Sequence, residues 1–157
     1  MAILSPGLPI KNAILSLLNQ LVSSGVLGVA ISYDLSKNPL SDAKLETVYP
    51  VALLGTANVK SEYILNTANY RAYTFPVMVV LKHDNLDDQE TGIETLVDQI
   101  LNLFDQYPTL GGTCQMSDAA GVPLAPISTP DKQYVLFLIE LTARVAIDLT
   151  FNFGSTT

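Results

Sequence analysis

The hydrophobic pattern opens with a helical period. Ile10, Ile14, Leu17, Leu18 and Leu21 fall at i, i+4, i+7, i+8 and i+11, one stripe of a 3.6-residue turn. Pro9 suits a first turn and Gly25 stands just past the last apolar position, so the spacing predicts a helix between them. The period then drops to two. In "VLGVAISYD", Leu27, Val29, Ile31 and Tyr33 alternate with Gly28, Ala30 and Ser32, predicting a strand with one crowded face and one bare face. Gly28 and Ala30 leave room for another backbone or helix to approach closely.

A polar loop, "LSKNPLSDAKLE", turns at Asn-Pro and leads to a second strand in "TVYPVALLG", which carries Pro50. The segment "TANVKSEYILNTANY" has polar ends around "EYIL" and reads as an extended hairpin projecting from the sheet. From Arg71 to Leu81 alternation returns. Tyr73, Phe75, Val77, Val79 and Leu81 share one face, and Ala72, Thr74, Pro76, Met78 and Val80 the other. Pro76 implies an edge position or a bulge, because it cannot donate to a ladder. Both faces are largely apolar, so both are expected to be covered.

A second helix is predicted from Ile93, Leu96, Val97, Ile100, Leu101 and Phe104, with Asp87 and Glu90 as N-cap and reciprocating acid. Pro108 and Gly111-Gly112 end it. Glu94, Asp98 and Asp105 lie off the stripe, and no lysine or arginine occurs between Asp84 and Thr129. That acidic face suits solvent or a basic partner. "GGTCQMSDAAGVPLAPISTPDK" reads as a long loop with a short strand around Cys114 to Met116. "QYVLFLIELTARVAID" then alternates over an unusual length. Val135, Phe137, Ile139, Leu141, Ala143, Val145 and Ile147 form one face, and Tyr134, Leu136, Leu138, Glu140, Thr142, Arg144 and Asp148 the other. The order helix, strand, strand, strand, helix, strand predicts an α+β domain: a mainly antiparallel sheet packed against two helices, with long projecting loops or a hairpin.

Composition adds an oligomer to this picture. A chain of 157 residues is expected to form one domain, 1–157, with a flexible C-terminal tail at about 149–157. Only 15% of residues are charged, against roughly 25% in ordinary soluble domains. A surface so poor in charge is expected to be covered partly by other chains. Acids outnumber bases 15 to 8, for a net charge of −7, and no Lys/Arg cluster exists to grip phosphates or an anionic membrane. The opening "MAILSPGLPIKN" lacks a basic n-region and no apolar run reaches membrane-spanning length, so neither signal peptide nor spanning helix is expected.

Candidate chemistry is sparse. The only histidine, His83, stands beside Asp84, but neighbours on a strand point to opposite faces and cannot easily orient each other. No nucleophile elbow, phosphate loop or dinucleotide fingerprint accompanies them. The acids Asp84, Asp87, Asp88 and Glu90 lack calcium-loop spacing and complement a helix N-terminus instead. The single cysteine, Cys114, excludes an intrachain disulfide and reads as a small, partly buried residue. Glu140, Thr142 and Arg144 on one strand face suggest a cross-strand or intersubunit ion pair. The expectation is a non-enzyme without metal or cofactor.

The helix "IKNAILSLLNQL", the strands "VYPVALLG" and "YRAYTFPVMVVLKH", the helix "GIETLVDQILNLFDQYPTLGG" and the long strand "YVLFLIELTARV" together give the chain its resemblance to another group of proteins. In this pattern of elements it resembles the tail terminator (tail completion) proteins of long-tailed bacteriophages. The resemblance implies a structural virion protein assembled in the host cytoplasm. Such proteins form a homo-oligomeric, hexameric ring that caps the tail tube protein, ends polymerisation and joins the head-completion or connector protein. DNA would pass through the ring without specific binding. Candidate interface residues are Tyr63, Ile64 and Leu65 in the projecting segment, with Glu140 and Arg144 on the last strand. The loop after the acidic helix is a second candidate. Two rival readings are another neck protein (head-closure or connector component) and a small non-viral ligand-binding or enzyme-subunit domain.

Overall fold

The computed structural model describes residues 6–39, 44–45, 48–63, 68–83, 86–124, 127–128 and 133–148. Along these the order is α1 (Gly7–Ser23), β1 (Val29–Ser32), β2 (Val51–Leu54), β3 (Asn58–Tyr63) and β4 (Ala68–His83), followed by α2 (Leu86–Asp105), β5 (Met116–Pro123), β6 (Ile127–Ser128) and β7 (Gln133–Asp148). The class is α+β, as expected. One seven-stranded sheet runs β1-β2-β4-β7-β5, with β3 on β4 and β6 on β7. Every pairing is antiparallel except that of β1 with β2.

The alternation read along β4 and β7 becomes two cores. On one face, Tyr73, Phe75, Val77 and Val79 of β4 and Val135, Ile139, Leu141 and Ala143 of β7 pack with both helices. Helix α1 contributes Ile10, Ile14, Leu17 and Leu18, and α2 contributes Ile93, Leu96, Val97, Ile100 and Phe104, all buried. Both helical stripes therefore face the sheet, while Glu94, Asp98 and Asp105 are exposed. On the second face Val51, Leu53, Val80, Tyr134 and Leu136 form a smaller cluster, covered by Leu35, Leu45, Val48 and Tyr49 from the loop between β1 and β2. The Tyr49 and Tyr134 rings lie 5.7 Å apart there, tilted by 55°.

Local endings follow the punctuation. Helix α1 closes with Gly25 N–H donating to the Val22 carbonyl and Val26 N–H to that of Leu21, the paired bonds of a Schellman end. Gly28 allows the close approach its size suggested. Its N–H donates to the Pro50 carbonyl at 2.7 Å, and a Cβ there would stand 1.8 Å from the Val48 carbonyl oxygen.

Three expectations are corrected and a fourth is made more specific. Pro76 lies in a central strand with unbroken register, neither at an edge nor at a bulge. Its carbonyl accepts from Gly55 N–H at 2.8 Å, so its donorless nitrogen faces the break between β2 and β3, where no ladder bond is lost. Asp87 falls inside the first turn of α2, which begins at Leu86, and not at the cap. The region after Cys114 holds an eight-residue strand, β5, in place of a long loop with a short strand. Its small residues carry no alternation, and at Gly121 the Phe137 ring lies over the backbone where a Cβ would stand, so a larger residue there would displace that ring. Finally, "NVKSEY" is a strand, β3, that enlarges the sheet beside β4 and forms one arm of the expected hairpin. Residues 64–67 at its turn, and the tail 149–157, lie outside the described residues.

Candidate functional site

Strands β4 and β7 pair along 16 residues each, from Ala68↔Asp148 to His83↔Gln133. Strands usually hold five or six residues, and a ladder this long spans roughly 50 Å. The helix-face core ends at Tyr73 on β4 and at Val145 on β7. Beyond Val145 the ladder continues to Asp148, flanked by β3 on the β4 side, while β5 begins one residue short of that level with Met116 opposite Arg144. The sequence thus builds a helix-backed body and an open end of sheet from the same two strands.

Where the helix-face core ends, the second face of the sheet is polar and connected across strands. Thr74 and Thr142, directly opposite, share a hydroxyl hydrogen bond of 3.1 Å. Arg144 donates to Asp118 on β5 at 3.1 Å and lies 3.5 Å from Glu62 on β3. Its guanidinium is pushed above its ordinary value chiefly by the hydrogen bond to Asp118. Arg144 therefore makes a cross-strand pair, one of the two arrangements anticipated, and spans β3, β4, β7 and β5. Its acids are Glu62 and Asp118. Glu140, four residues away, is exposed on the same face. Sequence spacing holds no signal for Glu62 or Asp118 as the partners of Arg144, because only the register of β3 and β5 across the sheet brings them together. With side chains 27% to 66% exposed, these pairs contribute little. Arg144→Ala is expected to lower stability by less than about 1 kcal/mol in urea melts.

Among the proposed contact residues, Tyr63 ends β3 opposite Asn69 in the backbone register, and Ile64 and Leu65 lie outside the described residues. Five large apolar side chains are exposed among the described residues: Leu8, Val59, Tyr107, Met116 and Val122. Val59 lies on β3, and Met116 and Val122 on β5, so three of the five sit on the outer strands. A groove of about 300 Å³ lies between the start of α1 and the β2–β3 break, lined by Leu8, Lys11, Ala57, Val59, Tyr73 and Phe75.

His83 closes β4 opposite Gln133, and its neighbour Asp84 lies outside the described residues. Among the described residues no group of three His, Cys, Asp or Glu side chains is arranged to hold a metal ion. No described helix is long and apolar enough to cross a membrane. Cys114 is buried, and that burial pushes its thiol up, partly offset by a hydrogen bond with the Met116 backbone. Its contribution to stability is whole below the unfolded thiol's pKa and is lost as pH rises through the higher folded value. Slow modification of native protein by a thiol reagent is expected, with rapid modification after denaturation.

No protein family matches the sequence, and no curated protein matches it significantly.

Proposed function

We propose that the protein is a tail terminator: a structural virion protein whose ring caps a phage tail tube, ends its polymerisation and offers a joining surface to the head connector. One observation carries this reading. Two 16-residue strands run beyond their helical cover and present an open end of sheet, with apolar residues exposed on both outer strands. A monomer gains nothing from such an edge, which invites association. A net charge of −7 fits a wall that DNA passes without being held. The low charged fraction fits surface covered by neighbouring copies.

The test is the double variant Tyr63→Asp, Ile64→Asp. It is expected to keep the fold, seen by circular dichroism, while losing ring formation or tube capping. Normal rings and normal capping would remove this segment from the assembly surface. His83→Ala is expected to leave assembly unchanged, checked by solution mass, and a specific loss of turnover in that variant would contradict the non-enzymatic reading. The apolar groove beside Leu8 favours a second reading, binding of a small apolar ligand by a monomer. Mass measured across a range of concentrations separates the two, since only the ring former grows.

A further inference from the structure

Strands β3 and β5 are the two edges of the four-strand unit β3–β4–β7–β5. Hydrogen-bonding direction alternates along a strand. The Pro76 carbonyl accepts from Gly55, so even-numbered residues of β4 face the β3 side. Strand β3 therefore pairs with β4 through Asn58, Lys60 and Glu62, opposite Thr74, Ala72 and Tyr70. The N–H and C=O groups of Val59, Ser61 and Tyr63 point outward. At the other edge the Leu136 and Arg144 carbonyls accept from Leu124 and Gln115, so even-numbered residues of β7 face β5. The outward groups of β5 belong to Ser117, Ala119 and Gly121. Of these the Ser117 N–H already donates to the Pro108 carbonyl. Among the described residues neither edge has a further strand partner.

From these two edges we infer that β5 of one copy pairs antiparallel with β3 of the next, so that a second copy of this chain completes the sheet head to tail. This rests on the ring-forming reading above and names its interface. Strand direction supports it. The unit β3–β4–β7–β5 is antiparallel throughout, so its two edges run in opposite directions and a repeated unit stays antiparallel across each junction. Charge fixes the register. Lys60 is exposed on β3, and Asp118 on β5 has a side chain 66% exposed. Placing Lys60 opposite Asp118 sets Val59 against Ala119 as a hydrogen-bonded pair and brings Met116 against Glu62.

The same register supplies stagger. Lys60 stands in the row of Ala72, Arg144 and Met116, whereas Asp118 stands in the row of Thr142, Thr74 and Asn58. Each junction therefore slips by two residues, the shear that lets tilted strands close into a ring and not extend as a flat ribbon. An edge facing water is ordinarily guarded by lysine or an internal proline. Strand β5 has no lysine, and its only proline is the terminal Pro123.

The experiment uses the full chain with Lys60→Cys and Asp118→Cys. These positions form a non-hydrogen-bonded pair in the inferred register, with Cα atoms about 4.5 Å apart, inside the usual disulfide range of about 4.4–6.8 Å. Mild oxidation of the double variant should give a ladder of covalent multimers on a denaturing gel, and each single variant should give none. A second pair, Ser61→Pro and Ala119→Pro, removes one outward N–H from each edge, a site where proline leaves the rest of the sheet intact. Either proline should preserve the thermal midpoint within a few degrees and reduce the solution mass to that of one chain. An oligomer that forms without cross-links, that survives both prolines, or that fails to form at any concentration would overturn the interface. Cross-linked rings that do not cap tubes would leave this interface standing and remove the terminator reading. Capping without cross-links would do the reverse.

Discussion

Phe104→Ala is expected to cost about 3–5 kcal/mol, the usual range for an aromatic side chain removed from a packed core. Phe104 is 2% exposed and belongs to the cluster that joins α2 to β4 and β7. It shares that cluster with Ile100, Val79 and the partly buried Phe137, the partners anticipated from the strand parity. Small domains are stable by only about 5–15 kcal/mol, so the variant should be largely insoluble or should unfold at much lower urea. A change below roughly 1 kcal/mol would mean that α2 does not pack its apolar stripe on the sheet in solution.

The second large effect is expected at Gly28. A Cβ there would lie 1.8 Å from the Val48 carbonyl oxygen and 2.6 Å from its carbon. Neither is the end of a flexible side chain, so the backbone itself has to part. That movement strains the Gly28 N–H bond to the Pro50 carbonyl and lifts the 48–50 segment off the second-face core. Overpacking of this kind costs about 1–3 kcal/mol, and a lost hydrogen bond adds about 1 kcal/mol. Gly28→Ala should therefore lower stability by about 2–4 kcal/mol, read from the urea midpoint at unchanged slope. Ala30→Gly, which leaves the approach open, serves as a control with a smaller loss. A Gly28→Ala protein within roughly 0.5 kcal/mol of the parent would show that this approach relaxes in solution.

Both helices and the three strongest strands were legible because each buries a face with a fixed period. In α1 the stripe Ile10, Ile14, Leu17 and Leu18 is the buried set. In β7 the alternation from Gln133 to Asp148 gives the strand's full extent. What was not legible has a common cause. Strands β3 and β5 are outer strands whose residues face solvent on one or both sides, so no alternation marks them. The sequence shows β3 only as an arm of an extended hairpin and β5 only as a short strand near Met116. They are held by backbone bonds to β4 and β7, which a side-chain pattern does not report. Pro76 reads as an edge or bulge residue because its missing donor is visible in the sequence, whereas the break opposite it is not. The same blindness hid Glu62 and Asp118 as the partners of Arg144. Arg144 itself was singled out, because a cation among apolar alternation on a long strand is conspicuous.

The functional reading is decided by what happens to particles when the chain is missing. Electron microscopy of virions assembled with and without it, in a tailed phage that encodes it, measures tail length and head attachment directly. A ring that ends tube growth and joins the head should leave, in its absence, tails of uncontrolled length or heads without tails, and returning the chain should restore one length. Particles of normal tail length with heads attached, made without the chain, would contradict it.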